Sequence, residues 1–244
     1  MKTLKVFGVA QLGAAYMVAA SLVTFAQNLR GEAEETEQVD RTIAFPAAGT
    51  LQLHNFSGDV QITGTDRKDV VVKAVRRATR DRLDHIALDI QISGSTVTIQ
   101  ANKRDPGWRN PGKSDVVETS FEIEVPASAN INVDVFSSNL NISGVAGAQR
   151  LKTFSGKITV DASAAGPTPR LIAETFSGSI RARLAESVTG DVEHKSFSGS
   201  FDTELPLNLR STNRKRERAA EPTVGEGNSP LRFKTFSGSV QLIK

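Results

Sequence analysis

The chain has 244 residues, 39% of them hydrophobic, and a formal net charge of +3, which is enough for one large domain or two small ones with a real core. So small a net charge does not indicate nucleic-acid binding, and we predict no nucleic-acid partner. Cysteine is absent, which excludes disulfides, thiolate metal sites, a cysteine nucleophile and the lipidated cysteine of a bacterial lipoprotein.

The N-terminus carries an export pattern. Lys2 and Lys5 precede an almost uncharged run over residues 6–26 that ends at the small residue Ala26. Residues 1–26 are therefore predicted to be a signal peptide, or a retained membrane anchor, since a helix of this length spans about 31 Å. A buried globular helix is the least favoured alternative. Both leading interpretations predict an exported protein, either periplasmic, cell-surface or tethered to the inner membrane by residues 6–26.

An acidic segment follows at residues 27–41. It is rich in Glu and has no apolar periodicity, so we expect a solvated linker. The domain is then predicted to cover residues 42–244, with less regular strands over 42–125 and regular rungs over 126–244.

Alternating and β-branched runs predict the strands of the first part, namely "DVVVKAV", "IALDIQISGSTVTIQ" and "ETSFEIEVPA". The stretch "RRATRDRLDH" is consistent with a short helix or a wide loop. The segment "KRDPGWRNPGK" is predicted to be a loop because of its Pro and Gly content.

A short phrase, Thr/Ser-Phe-Ser-Gly, recurs along the chain with variants. Its anchors are Phe56, Phe136, Phe154, Phe176, Phe197 and Phe236. Apolar residues two apart on both sides of each Phe indicate strand, turn and strand. Repeats of about 20 residues are too short to hold a core alone. We therefore predict an all-β fold, a β-solenoid of the single-stranded β-helix type with rungs of about 20 residues.

The phrase itself is predicted to be structural. Gly supplies the backbone freedom of a sharp turn, Ser hydrogen-bonds the turn, and Phe fills the corner so that the rings form a ladder. The predicted turn residues are Phe56, Gly58, Phe136, Phe154, Gly156, Phe176, Gly178, Phe197, Gly199, Phe236 and Gly238. The residues two before the Phe in successive repeats, Asp134, Lys152, Glu174 and Lys195, are expected to form a ladder of alternating charge.

The segments "LDIQISGSTVTIQA", "FEIEVPASANINVDVFSSNLNISGV" and the serial "TFSGSI" phrases resemble a bacterial β-strand-repeat domain of unknown function known as "putative adhesin". The likeness covers about residues 42–244 and departs from the family's spacing at residues 207–230. The resemblance implies an exported β-solenoid without established catalytic residues.

Catalytic patterns are weak. A nucleophile elbow needs G-x-S-x-G, whereas here the order is F-S-G in five copies and F-S-S in the sixth, with six equivalent serines. The three histidines, His54, His85 and His194, have no zinc-binding spacing. His194 occupies a column otherwise filled by apolar residues, which favours a half-buried packing role. We predict no enzyme activity, no catalytic residue, no metal site and no cofactor.

Two features are candidate binding sites. One is Trp108, which lies between two Pro-Gly turns, although packing beneath its own loop is the simpler interpretation. The other is the basic insertion at residues 207–230, with Arg210, Arg214, Lys215, Arg216 and Arg218. This insertion is either a solvated loop or an electrostatic contact to anionic envelope lipid or polysaccharide.

The sequence thus predicts an adhesin-like, non-catalytic binding or structural module of the bacterial cell envelope. The first alternative is a self-associating envelope scaffold that pairs through an open strand edge on the C-terminal rung "SVQLIK". The second is a β-helix carbohydrate-active enzyme, which would require a cluster of acids on one face.

Overall fold

The computed structural model describes residues 33–46, 48–109, 115–164, 170–185, 190–205, 208–210, 221–224 and 231–244. These residues form nineteen strands and one short helix. In chain order the elements are β1 (Glu34–Ala44), β2 (Thr50–Ser57), β3 (Val60–Thr65), β4 (Asp69–Thr79), α1 (Arg80–His85), β5 (Ile86–Ser93), β6 (Thr96–Arg104), β7 (Glu118–Pro126), β8 (Asn130–Ser137), β9 (Leu140–Ser143), β10 (Gln149–Ser155), β11 (Ile158–Asp161), β12 (Leu171–Ser177), β13 (Ile180–Arg183), β14 (Gly190–Ser198), β15 (Phe201–Thr203), β16 (Asn208–Arg210), β17 (Glu221–Val224), β18 (Leu231–Ser237) and β19 (Val240–Ile243).

The strands form two large sheets. The first sheet has nine strands in the order β1-β4-β7-β3-β9-β11-β13-β19-β15, and the second has ten in the order β16-β17-β14-β18-β12-β10-β8-β2-β6-β5. Each repeat supplies one strand to each sheet: the strand that ends in Phe-Ser lies in the second sheet, and the strand after the turn lies in the first. The repeat therefore builds both layers of the fold at once.

Neighbouring repeats pair in parallel and in register. Leu151 of β10 pairs with Val133 of β8 on one side and with Ala173 of β12 on the other. All three are buried, as are the matching residues Leu140, Ile158 and Ile180 of the first sheet. Because side chains alternate across a strand, these columns face one another between the sheets and form a single continuous core.

The prediction of a single-stranded β-helix-like solenoid is wrong, although the all-β class is correct. The two sheets mix parallel and antiparallel pairs. β1 pairs antiparallel with β4, β4 with β7, and β5 with β6. A β-solenoid of stacked rungs would pair its strands in parallel throughout. Alternation of apolar and polar residues indicates a strand with one buried face, whether that strand pairs in parallel or antiparallel. The sequence pattern therefore did not reveal the antiparallel pairs.

The rungs do not follow chain order at the C-terminal side. β18 pairs with β12 and with β14, and β19 pairs with β13 and with β15. The rung at residues 231–243 thus lies between the rungs anchored at Phe176 and Phe197. The predicted open edge on the C-terminal rung is therefore wrong, because both of its strands are paired on both sides.

The acidic segment expected to be a linker at residues 27–41 is largely strand, since β1 begins at Glu34. Glu37 of β1 forms an ion pair with the buried Arg76 of β4, whose guanidinium also donates a hydrogen bond to the Ile86 carbonyl. A buried charge of this kind needs a partner, so Glu37 ties the segment to the domain. Leu83 of α1 and Ile86 of β5 form a small separate apolar cluster with Ala78 and Val117.

The N-terminal signal or anchor at residues 1–26 lies outside the described residues. Among the residues that the structure describes, no helix is long and apolar enough to cross a membrane.

The turns depend on glycine where adjacent rungs approach closely. Gly156 has φ +148°, and a Cβ at that position would lie 2.1 Å from the Ser138 carbonyl oxygen of the neighbouring rung. Gly94, in the hairpin between β5 and β6, has φ +56° but would meet nothing within 4 Å. A side chain at Gly94 would meet backbone strain alone, whereas one at Gly156 would meet both backbone strain and contact with the neighbouring rung.

We predict that Gly156→Ala lowers the free energy of unfolding by about 3 kcal/mol, because the new methyl group forces two rungs apart in addition to straining the backbone. The control Gly94→Ala should cost only about 1 kcal/mol, from its left-handed backbone alone. Denaturant unfolding of both variants measures the difference. Equal losses would show that rung spacing does not depend on Gly156.

Candidate binding face

Six phenylalanine rings stack on the outer face of the second sheet. In spatial order they are Phe56, Phe136, Phe154, Phe176, Phe236 and Phe197, with neighbouring centroids 4.6–4.8 Å apart. We call this stack the Phe ladder. Its spacing is the distance between neighbouring strands, so the ladder is a direct result of in-register pairing. It runs for about 24 Å across the sheet.

The sequence pattern predicts rings that fill the corner of the turn, but the structure places them on the exposed outer face of the sheet. Five of them are 42–45% exposed, and Phe197, at the end of the ladder, is 80% exposed. The interior rings lie within 16° of parallel to their neighbours, so each covers the faces of the next. Solvent therefore meets a row of ring edges, with the end ring Phe197 the most exposed.

The residue before the Phe holds the turn. The hydroxyl of Thr153 is buried and lies 3.3 Å from the Ser138 carbonyl and 3.2 Å from the Ser155 carbonyl. Asn55 does the same in the first repeat, where its side-chain amide donates to the Ser57 carbonyl at 3.0 Å and to the Thr119 carbonyl at 2.8 Å. These bonds satisfy carbonyl groups of the turns and, for Asn55, of the neighbouring strand β7. The sequence pattern predicts this role for the Ser after the Phe, whereas the structure gives it to the residue before the Phe.

A column of charged residues runs beside the Phe ladder. It consists of the residues two before each Phe, which in spatial order are His54, Asp134, Lys152, Glu174, Lys234 and Lys195. We call it the charged column. Lys152 pairs in register with Asp134 and Glu174 as predicted, and its Nζ lies 3.7 Å from Asp134. The predicted neighbour pair of Glu174 and Lys195 does not form, because Lys234 lies between them.

Together the two columns make a long shallow groove. Its volume is about 750 Å³, and it is lined by five of the Phe rings, the charged column and the residues between the two columns. This volume is within the range of ligand sites. We call the whole surface the ladder face.

The rung at residues 190–205 ends the core. His194 of β14 faces inward, pairs in register with Phe233 and stacks on Phe201 with ring centroids 4.7 Å apart. Its Nε2 is buried and has no hydrogen-bond partner within the described residues. Burial lowers the pKa of His194 because it disfavours the charged imidazolium. This is the half-buried packing histidine that the sequence predicted.

Of the other candidate binding residues, Trp108 lies away from the ladder face. Trp108 is half-buried, packs against the small cluster around Leu83 and Ile86, and stacks on His85 with centroids 5.5 Å apart. Arg210 lies in β16, and Arg214, Lys215, Arg216 and Arg218 lie outside the described residues. The sequence pattern predicts a purely structural role for the Phe residues. Their position two residues from a charged, outward column was the signal that they also face solvent.

The described part of the chain contains no group of three or more His, Asp or Glu side chains placed to hold a metal ion. The charged column mixes acids and bases, so it does not offer the paired carboxylates of a glycosidase.

Comparisons with known proteins support the fold. No known protein family and no protein with a curated description matches the sequence. The crystal structure of a "putative cell adhesion protein" from Clostridium sporogenes is 10% identical, with a TM-score of 0.61, and covers 84% of this chain and 99% of that chain. A "putative adhesin" from Bacteroides fragilis is 12% identical over 85% of this chain and 97% of that one, with a TM-score of 0.31. Only the first likeness is close enough to indicate a shared fold.

We predict that the interior rings of the Phe ladder stabilise the domain more than the end ring. Phe154→Ala should lower the free energy of unfolding by about 2–3 kcal/mol, because it removes a half-buried ring and two stacking contacts. Phe197→Ala removes one contact of a mostly exposed ring and should cost less than about 1 kcal/mol. Thermal or denaturant unfolding compares the two. A larger loss for Phe197 would contradict this account of the stack.

A second prediction concerns pH. Since the folded pKa of His194 lies below its ordinary value of 6.5, the unfolded chain binds the proton first as the pH falls. The stability contributed at this site is then complete above about pH 6.5, is lost below that value, and levels off once the folded state is also protonated. His194→Leu should remove this part of the pH dependence, whereas His54→Gln on the exposed face should leave it. Melting temperatures of both variants and the parent between about pH 5 and 8 test this.

Proposed function

We propose that the chain is an exported, non-catalytic binding module that attaches to a protein partner through its ladder face. The observation that carries this proposal is the row of half-exposed Phe rings. Apolar side chains exposed singly are common, but a continuous apolar stripe on a folded domain marks an interaction surface. The lysine-led apolar N-terminus supports export.

The form of the ladder restricts the partner. Sugar rings bind aromatic side chains by stacking on their faces, but here the interior faces are already covered by neighbouring rings at 4.6–4.8 Å. The ladder offers ring edges instead, which pack against aliphatic or aromatic side chains. A polysaccharide along the whole ladder is therefore a poor match.

The charged column restricts it further. A membrane surface or an acidic polymer presents one sign of charge and is matched by a uniformly basic surface. Here Asp134 and Glu174 alternate with Lys152 and Lys234. A partner that complements this column must carry both signs beside an apolar strip, which is a property of protein surfaces. The adhesion name of the Clostridium sporogenes protein is consistent with such a role.

The test uses a substitution that keeps the stack. In Phe154→Arg the planar guanidinium can remain between Phe136 and Phe176 while it replaces an apolar edge with a charge. The control is Asn141→Arg, an exposed residue on the outer face of the first sheet. Fluorescent beads coated with each purified protein are incubated with intact cells of the source bacterium, and bound beads are counted.

We expect at least a fivefold loss of bound beads for Phe154→Arg and no loss for Asn141→Arg. Equal binding by Phe154→Arg would overturn the ladder face as the site. Shaving the target cells with protease should also abolish binding. Binding that persists after shaving would overturn a protein partner in favour of lipid or glycan.

A further inference from the structure

We propose that the partner of the ladder face is a second copy of the same chain, packed face to face about a two-fold axis that runs along the strands. This inference rests on the proposed function and names its occupant. In this arrangement the Phe ladder of one copy meets the Phe ladder of the other, and the charged column meets the charged column. The order of rungs is reversed between the two copies.

When the charged column of one copy faces that of the other in reversed order, opposite charges meet at the central positions. The axis passes between the rungs of Phe154 and Phe176, the third and fourth of the ladder. Lys152 of one copy then faces Glu174 of the other, and Asp134 faces Lys234. Each pair occurs twice because a two-fold interface is symmetric. At the ends His54 faces Lys195.

A two-fold axis across the strands is the other way to set two copies of this face together. It keeps the order of the rungs but reverses the direction of the strands. If that axis lies over the charged column, each residue of the column faces its own copy, and aspartate against aspartate and lysine against lysine disfavour association. If it lies over the Phe ladder, the two charged columns lie on opposite sides and do not meet. The axis along the strands therefore brings both the Phe ladders and the charged columns of the two copies together.

The next outward column is compatible with the reversed order. It lies four residues before each Phe and reads Gln52, Asn132, Arg150, Ile172, Arg232 and Glu193 in spatial order. Reversal places Arg150 against Ile172, Asn132 against Arg232 and Gln52 against Glu193. No like charges meet, so nothing in this column opposes the pairing.

The size of the face indicates a weak dimer. The ladder is about 24 Å long, and the outward columns from four residues before the Phe to the Ser after it span about 17 Å along the strands. The buried area is then about 400 Å² per copy, half that of a standard stable interface. Such an interface suits proteins displayed in many copies on facing surfaces, where several weak contacts act together.

Sedimentation of the purified chain over a range of concentrations is the first measurement. We expect a monomer–dimer equilibrium, with Phe154→Arg monomeric and Asn141→Arg unchanged. A wild-type chain that stays monomeric at every concentration up to the millimolar range would overturn the proposal.

A charge exchange tests the register. Lys152→Glu alone sets glutamate against Glu174 twice, and Glu174→Lys alone sets lysine against Lys152 twice, so each variant should dimerise at least about tenfold more weakly. Mixing the two variants restores both contacts. The glutamate introduced in the first variant then faces the lysine introduced in the second, and the unchanged Glu174 of the first faces the unchanged Lys152 of the second. We expect the mixture to dimerise as well as the wild type.

Mixing separates an interface from an internal effect. A variant weakened by charge repulsion within its own column stays weakened when it is mixed with another chain. A mixture that remains monomeric would therefore overturn the reversed pairing, whatever the folding of the single variants.

The bead assay keeps this inference distinct from the proposed function. A monomeric protein whose beads still bind cells through the ladder face would leave the binding function intact and give it another partner. If instead the chain dimerises in the predicted register but its beads bind no cells, the dimer is supported and attachment to the source cells is overturned.

Discussion

In-register parallel pairing is the constraint on which the rest of the molecule depends. It places each residue of a repeat directly beside its equivalent in the next repeat, at the 4.6–4.8 Å spacing seen in the ring stack. A single short phrase is thereby converted into columns that run the length of the sheet. Core columns, the Phe ladder and the charged column all arise from this one geometric rule, so stability and binding surface share the same origin.

The sequence predicted the columns well because each column is a local property repeated many times. Leu151, Val133 and Ala173 share a position relative to the Phe, and they pair as expected. Strand direction could not be predicted in the same way, since a half-buried strand has the same alternation in a parallel and an antiparallel pair. The mixed sheets over residues 34–126 were missed for this reason.

The order of the rungs and the exposure of the rings were also missed. The rung at residues 190–205 carries His194 and Thr203 in columns that hold Phe233 and Leu242 in the rung at residues 231–243. A rung with weak apolar columns belongs at the end of the parallel stack, where the antiparallel strands β17 and β16 continue the second sheet, and this signal was present in the sequence. Exposure of the Phe ring follows from the alternation itself, because in five of the six repeats the buried residue is the Asn, Val or Thr before it.

The position of the rung at residues 231–243 between two earlier rungs affects how the domain is completed when the chain emerges N-terminus first. Residues 190–205 emerge before residues 231–243, yet their final neighbours in both sheets are β18 and β19. They therefore cannot reach their native place by adding to the growing end of the stack. The last strands must enter between two segments that have already emerged, so assembly ends by closing a gap rather than by extension. Until that closure, the strands of the Phe176 rung and of the Phe197 rung have unpaired edges.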